Sequence, residues 1–328
     1  MLTEIKAPPL DWGIKNNIPL NTAAEVTKDF HLPEKVLLHD TTLRDGEQFS
    51  GIELTKEEKV EIGKALSDYG IHRIEIMPAV SQEDYEAVVE LNSMGLSSEI
   101  VGFCRSVQSD IDKSIAAGCQ SIVLEIPSVH FLLKAMRWSV EDATGKMINM
   151  ARYAKEQGLN VALFFIAITD NTLDFSERFV RTVMDAVDVD SVIIPDTFSK
   201  SLPGSIYFLT RKMKEWTGKP VEIHSHNALG MGTANALAGV MAGAEVVHVC
   251  VNGLGEGTGN ASLDTVVVNL KMMLGIDTGV KFEKTYALSR LVERCTRLQL
   301  QANWPLCGER VFRSEEHTSE LQSLLIIS

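Results

Sequence analysis

From Val36 onward the chain alternates two patterns: short runs dense in Val, Ile and Leu, and longer segments whose apolar residues recur at helical spacing. The short runs are Val36–His39, Arg73–Met77, Ile100–Cys104, Ser121–Ile126, Asn160–Phe165, Ser191–Pro195, Val221–His224 and Val246–Val251. Such runs predict strands of a parallel sheet buried on both faces. The longer segments, read as helices, are Thr55–Tyr69, Gln82–Met94, Ser106–Ala117, Val140–Gln157, Leu173–Ala186, Pro203–Thr217, Ala228–Ala242 and Ala261–Leu274. Gly70, Gly95, Gly118, Gly158, Gly218 and Gly243 stand at their ends, as C-terminal stops do.

Strand–helix units repeated over about 250 residues predict an α/β fold, a (β/α)8 TIM barrel. A doubly wound open sheet fits less well, because no Gly-x-Gly-x-x-Gly follows the first strand. Residues 1–33 carry Pro8, Pro9, Pro19 and Pro33 with little periodicity, which predicts an irregular N-terminal arm with a short helix near Thr22 to Lys28. The barrel is expected over 34–275. Over 276–313, Leu288, Leu291, Val292, Cys295 and Leu298 keep helical spacing, so a helix and a linker are expected, leading toward a C-terminal subdomain that is cut short. Residues 314–328, with Glu316-His317-Thr318-Ser319-Glu320-Leu321, read like translated library adapter, a non-native tail.

A barrel of this kind gathers its functional groups at the C-terminal ends of its strands. Arg44, Asp45 and Gln48 follow the first strand, and Glu75 lies near the end of the second. Ser128 and His130 follow the fourth, Asp196 and Thr197 the sixth, His224 and His226 the seventh, and Asn252 to Asn260 the eighth. Asp45, His224 and His226 form a two-histidine, one-carboxylate set suited to a divalent metal with open positions. Asn260 can add an amide oxygen. The Arg44 guanidinium beside Asp45 can fork onto a carboxylate or a developing oxyanion. The glycine-rich Gly253 to Gly259 reads equally as a tight turn or as an anion site ahead of a helix.

The formal net charge of −13 argues against nucleic acid as a partner. The five cysteines have no zinc-finger or redox spacing and read as buried thiols. Neither a signal peptide nor an apolar run of about 18 residues is present, so a cytoplasmic protein without membrane association is expected.

Asp40-Thr41-Thr42-Leu43-Arg44-Asp45-Gly46-Glu47-Gln48, with Lys59 eleven places after Gln48, resembles the first signature of the α-isopropylmalate and homocitrate synthases. His224-Ser225-His226-Asn227 with Gly230 and Ala234-Asn235 resembles their second. Gly253-Leu254-Gly255-Glu256 with Gly259-Asn260 resembles a third stretch. The resemblance covers Val36 to Leu274, the domain shared by the metal-dependent pyruvate carboxyltransferases. It implies Asp45, His224, His226 and Asn260 as ligands of Mg²⁺, Mn²⁺ or Zn²⁺. It implies Arg44 and Glu75 as catalytic residues, and Gln48, His130 and Thr197 as substrate-binding ones. The implied reaction condenses acetyl-CoA, a co-substrate, with a 2-oxo acid, as in amino-acid biosynthesis, in a protein that is a homodimer at natural length. A lyase or aldolase cleaving a hydroxy acid is the alternative, or a metal-binding barrel with impaired catalysis. No Cys stands between Gly253 and Asn260, where hydroxymethylglutaryl-CoA lyase uses one. Four places depart from the family pattern: Ala228 for Asp, Gly257 for Arg, Ser199 for Gly, and Ile168-Thr169-Asp170 for Ser-x-Glu-Asp.

Overall fold

A computed structural model describes residues 20–311. Eight parallel strands close into a barrel: β1 (Leu37–Asp40), β2 (Arg73–Ile76), β3 (Glu99–Arg105), β4 (Ser121–Pro127), β5 (Asn160–Ile166), β6 (Ser191–Asp196), β7 (Val221–Ser225) and β8 (Val246–Val249). Each pairs with its successor, and β8 returns to β1 with Leu37 opposite Val246 and Asp40 opposite Val249. The eight strands expected from the sequence are all present, with ends that differ by two residues at most.

The helices, in chain order, are α1 (Ala24–Thr27), α2 (Lys56–Tyr69), α3 (Gln82–Ser93), α4 (Gln108–Ala116), α5 (His130–Met136), α6 (Val140–Glu156), α7 (Leu173–Met184), α8 (Pro203–Thr217), α9 (Gly232–Met241), α10 (Leu263–Leu274) and α11 (Thr285–Thr296). Local chemistry sets their ends. Thr55 and Glu58 close a capping box at the start of α2, and Gly70 ends it at φ 107°. Ser139 and Asp142 repeat the box on α6. The sequence pattern starts α9 at Ala228. The helix begins four residues later because Asn227 to Gly230 form a turn, with the Gly230 N–H on Asn227 O and Gly230 at φ 77°. The short α5 was not expected. The helix expected near Thr22 to Lys28 is the single turn α1. The readings that fall on residues 1–19 and 312–328, including the tail, lie outside the described residues.

The core has two parts. Outward-facing strand residues such as Leu38, Ile74, Ile122, Val192 and Val247 meet the helices. Inside the barrel, Val101, Phe103, Val123, Ala162, Phe164 and Ile193 fill the half formed by β3 to β6. The other half is polar. Strand alternation turns His39, Arg73, Glu75, Glu222, His224 and His248 inward from β1, β2, β7 and β8. The barrel interior is therefore split lengthwise into an apolar and an ionic side. All five cysteines are free and buried. Among the described residues no helix is long and apolar enough to cross a membrane.

Candidate metal site at the barrel mouth

β1 ends at Asp40, whose carboxyl accepts the Thr42 N–H at 2.9 Å and faces Thr42 Oγ1 at 3.1 Å. That local bond sets the turn which carries Arg44 and Asp45 to the mouth. Asp45 Oδ2 lies 2.9 Å from Arg44 Nη1, 3.1 Å from His224 Nε2 and 3.7 Å from His226 Nε2. The two imidazole Nε2 atoms are 3.2 Å apart. Asp45 Oδ1 accepts the Glu256 N–H at 3.0 Å, so the glycine-rich loop orients the carboxylate from the far side.

Asn260 joins from the same loop. Its backbone bridges to that of His226, and its Nδ2 donates to Cys250 Sγ at 3.4 Å. Its Oδ1 is buried with no hydrogen-bond partner among the described residues. The glycines permit this approach: a Cβ on Gly255, at φ 155°, would lie 2.6 Å from Asn260 Nδ2.

The electrostatics suit a cation. Burial opposes charge on Asp45, yet the Arg44 guanidinium beside it holds its carboxyl well below the usual carboxylate range. Burial lowers His224 to about 3 and also lowers His226, so both rings are neutral, the form that ligates metals. Two neutral imidazoles, one carboxylate and an unpartnered amide oxygen form a donor set that a divalent ion satisfies.

Arg44 is also anchored. Its Nε donates to Glu75 Oε1 at 2.5 Å, and its guanidinium lies 4.2 Å from the centroid of Phe103. Its Nη2 is buried without a partner among the described residues. Burial works against charge on Glu75, but Arg44 and His39 hold its carboxyl down at about 2.

Beneath the mouth runs a column of buried polar groups. His224 Nδ1 is 3.3 Å from His248 Nδ1, and His248 Nε2 is 2.9 Å from Glu222 Oε2. Glu222 Oε1 accepts from Arg73 at 3.0 Å and from Ser191 at 2.5 Å. His39 stacks on His248 with centroids 4.2 Å apart and reaches Glu75 at 3.1 Å. His39, His248 and Glu222 were not anticipated; the signal was a polar residue inside an otherwise apolar strand.

The remaining predicted residues spread around the rim. Gln48 is exposed at the edge of a cavity of about 1050 Å³ that Arg44, Lys59, Met77, Asp84 and Arg297 also line. Lys59, buried, bridges Asp84 at 2.5 Å and Glu47 at 2.9 Å and so pins the loop that carries Gln48. Thr197 Oγ1 accepts the Ala167 N–H at 3.0 Å, tying the tips of β5 and β6. His130 is exposed at the start of α5, its ring 4.3 Å from that of Phe175, and is not a member of the Asp45–His224–His226 cluster.

The profile of the HMGL-like family matches residues 35–292. The 2-isopropylmalate synthase of Methanocaldococcus jannaschii is 36% identical over 291 residues, 88% of this chain and 56% of that protein. The homocitrate synthase of Methanothermobacter thermautotrophicus is 35% identical over 299 residues, covering 90% of this chain and 75% of the relative. The chain thus spans between about half and three quarters of the length of these relatives. Among solved structures, an HMG-CoA lyase of Bacillus subtilis superposes with a TM-score of 0.72 at 18% identity, covering 82% of this chain and 96% of that one, a likeness of fold.

Proposed function

This chain belongs to the HMGL-like family, and from that premise we propose that it is a divalent-metal-dependent acyltransferase that condenses acetyl-CoA with a 2-oxo acid, as a 2-isopropylmalate or homocitrate synthase does. One observation carries the reading. Two buried polar atoms at the mouth lack partners among the described residues, Asn260 Oδ1 beside the Asp45–His224–His226 set and Nη2 of Arg44. One is an acceptor suited to a cation and the other a donor suited to an oxyanion.

Asp45, His224, His226 and Asn260 would hold Mg²⁺, Mn²⁺ or Zn²⁺. Such an ion supplies Lewis-acid polarisation of a ketone when bound. Arg44 binds the keto oxygen through Nη2 and stabilises the charge that grows there as the new carbon–carbon bond forms. It enters the reaction already desolvated and fixed by Glu75 and Phe103, so little reorganisation accompanies charge development. Glu75 acts through Arg44, as a positioning residue. Thr197, Gln48 and His130 are assigned to the substrate's acid end and the rim. The cavity beside Arg44, about 1050 Å³, is the space for an acyl-thioester arm. A homodimer is the proposed assembly. The lyase alternative is weaker: no Cys lies in the Gly253–Asn260 loop, and burial raises the nearby Cys250 thiol far above its ordinary value.

The test is incubation of the metal-loaded protein with acetyl-CoA and a panel of 2-oxo acids, with thiol release as readout. Release that depends on one oxo acid is expected. No release with any member of the panel, from protein that binds metal, refutes the reading.

A further inference from the structure

The barrel mouth contains a carboxyl group that the site as described does not use. Glu125 lies on β4, two residues beyond the inward-facing Val123, so alternation turns it into the barrel as well. Its Cα partner on β5 is Phe164, the ring that packs on His224 at 5.3 Å, and on β3 it is Arg105, two residues past Phe103, which carries Arg44. Glu125 therefore stands on the wall between the two aromatic rings that support Arg44 and His224. It is half-buried, and its carboxyl makes no hydrogen bond or ion pair among the described residues. The other acids deep in the mouth are all engaged: Asp45 and Glu75 by Arg44, and Glu222 by His248, Arg73 and Ser191. Arg105 is committed to Asp110 at 2.7 Å.

We infer that Glu125 is the general base of the condensation, the group that takes the methyl proton of the acyl thioester. This rests on the synthase reading above. In the step, the methyl C–H bond breaks and its proton moves to a Glu125 oxygen. The electron pair of that bond forms the new carbon–carbon bond to the keto carbon. The carbonyl π pair moves to the keto oxygen, which faces Arg44. The alkoxide then recovers one proton, from Glu125 or through water, so no net proton is lost before thioester hydrolysis.

The environment matches the task. Burial raises Glu125 to about 7, Arg44 and Arg105 pull it down, and Glu75 and Asp110 push it up. These are the charged groups facing it from the β1 tip, β2, β3 and α4, while β5 offers the uncharged Phe164. A base poised near neutrality combines availability with proton affinity, and such catalysis contributes about 10²–10⁴-fold.

The experiment compares wild type, Glu125→Gln and Glu125→Asp, each loaded with the same metal. Thiol release, metal content, 2-oxo-acid affinity and exchange of the acetyl-CoA methyl protons in D₂O are measured. Glu125→Gln should lose about 10²–10⁴-fold in kcat and lose methyl exchange, with metal content and oxo-acid affinity within about threefold of wild type. Glu125→Asp should keep part of both activities, and the acid limb of the wild-type kcat/KM profile should vanish in Glu125→Gln. A Glu125→Gln enzyme within about fivefold of wild type overturns the assignment. So does a loss of turnover matched by a loss of metal or oxo-acid binding, because Glu125 would then hold the site together. A wild type that binds metal and condenses nothing overturns the synthase reading itself, before any variant is made.

Discussion

Glu222 Oε2 lies 2.9 Å from His248 Nε2, at the foot of a chain that ends on His224. The ionised carboxylate accepts the hydrogen bond of His248 Nε2–H, which leaves His248 Nδ1 free to accept from His224 Nδ1–H. His224 is then fixed with its Nε2 lone pair toward Asp45 and His226. The tautomer of one ring is thus set by a carboxylate two residues away along β7. Glu222→Gln should weaken Mn²⁺ or Zn²⁺ binding by about 10–100-fold while the barrel still folds. Equilibrium dialysis with circular dichroism checks it, and unchanged affinity would remove the relay from the account.

His224→Ala deletes a ligand outright. Metal content after dialysis against Mg²⁺, Mn²⁺ and Zn²⁺ should fall from near stoichiometric to background. Equal content in variant and wild type would place the metal elsewhere.

Arg44→Lys keeps the charge and discards the fork. Lysine cannot at once donate to Glu75, donate to Asp45 and leave a further N–H for substrate in that geometry. Turnover should drop by about 10²–10³-fold with the fold retained, as circular dichroism checks. A variant within a few-fold of wild type would refute the role.

Gly255→Ala tests the loop. The added Cβ meets Asn260 at 2.6 Å, and the backbone there, at φ 155°, disfavours any side chain. The expected outcome is weaker metal binding than in wild type, read by titration. Gly257→Ala meets no described atom within 4 Å and strains only the backbone at φ 67°, so it should weaken metal binding less than Gly255→Ala does.

Asp40 gives a pH signature. Burial raises its folded-state value from 3.8 to about 7, so the folded protein holds a proton that the unfolded chain has released. Its contribution to stability is fully present below about pH 4 and is lost as pH rises through about 7. Asp40→Asn mimics the protonated form. Its stability relative to wild type should therefore rise between pH 4 and pH 8, by up to about 4 kcal/mol. Denaturant melts across that range measure it; a flat difference would mean that Asp40 is ionised in the fold.

The barrel was legible because period and punctuation agree: apolar runs, helical spacing and terminal glycines place every strand to within two residues. Arg44, Asp45, His224, His226 and Asn260 were legible because strand ends point to one rim. What stayed hidden depends on neighbours distant in sequence. No local pattern says that His248 stacks on His39 or that the Glu125 carboxyl has no partner among the described residues. His130 heads a short helix whose existence the pattern did not signal, and its ring rests on Phe175. Two departures from the family pattern also turn out to meet: Ser199, at φ 52°, accepts the Ala228 N–H on its Oγ at 2.9 Å. Read singly along the chain, they looked unrelated.

The lengthwise split of the barrel interior bears on how this protein can change over generations. On the ionic side every residue is answered by another, so replacing one leaves a buried partner stranded, at about 3–5 kcal/mol for a broken buried pair. On the apolar side, Val123, Ala162 and Ile193 answer only to volume, and swaps that conserve it cost less than about 1.5 kcal/mol. Phe103 and Phe164 are the seam between the two sides, one under Arg44 and the other against His224. Drift in substrate size is thereby channelled to the apolar wall below Glu125, and the metal-binding set on the other is inherited intact.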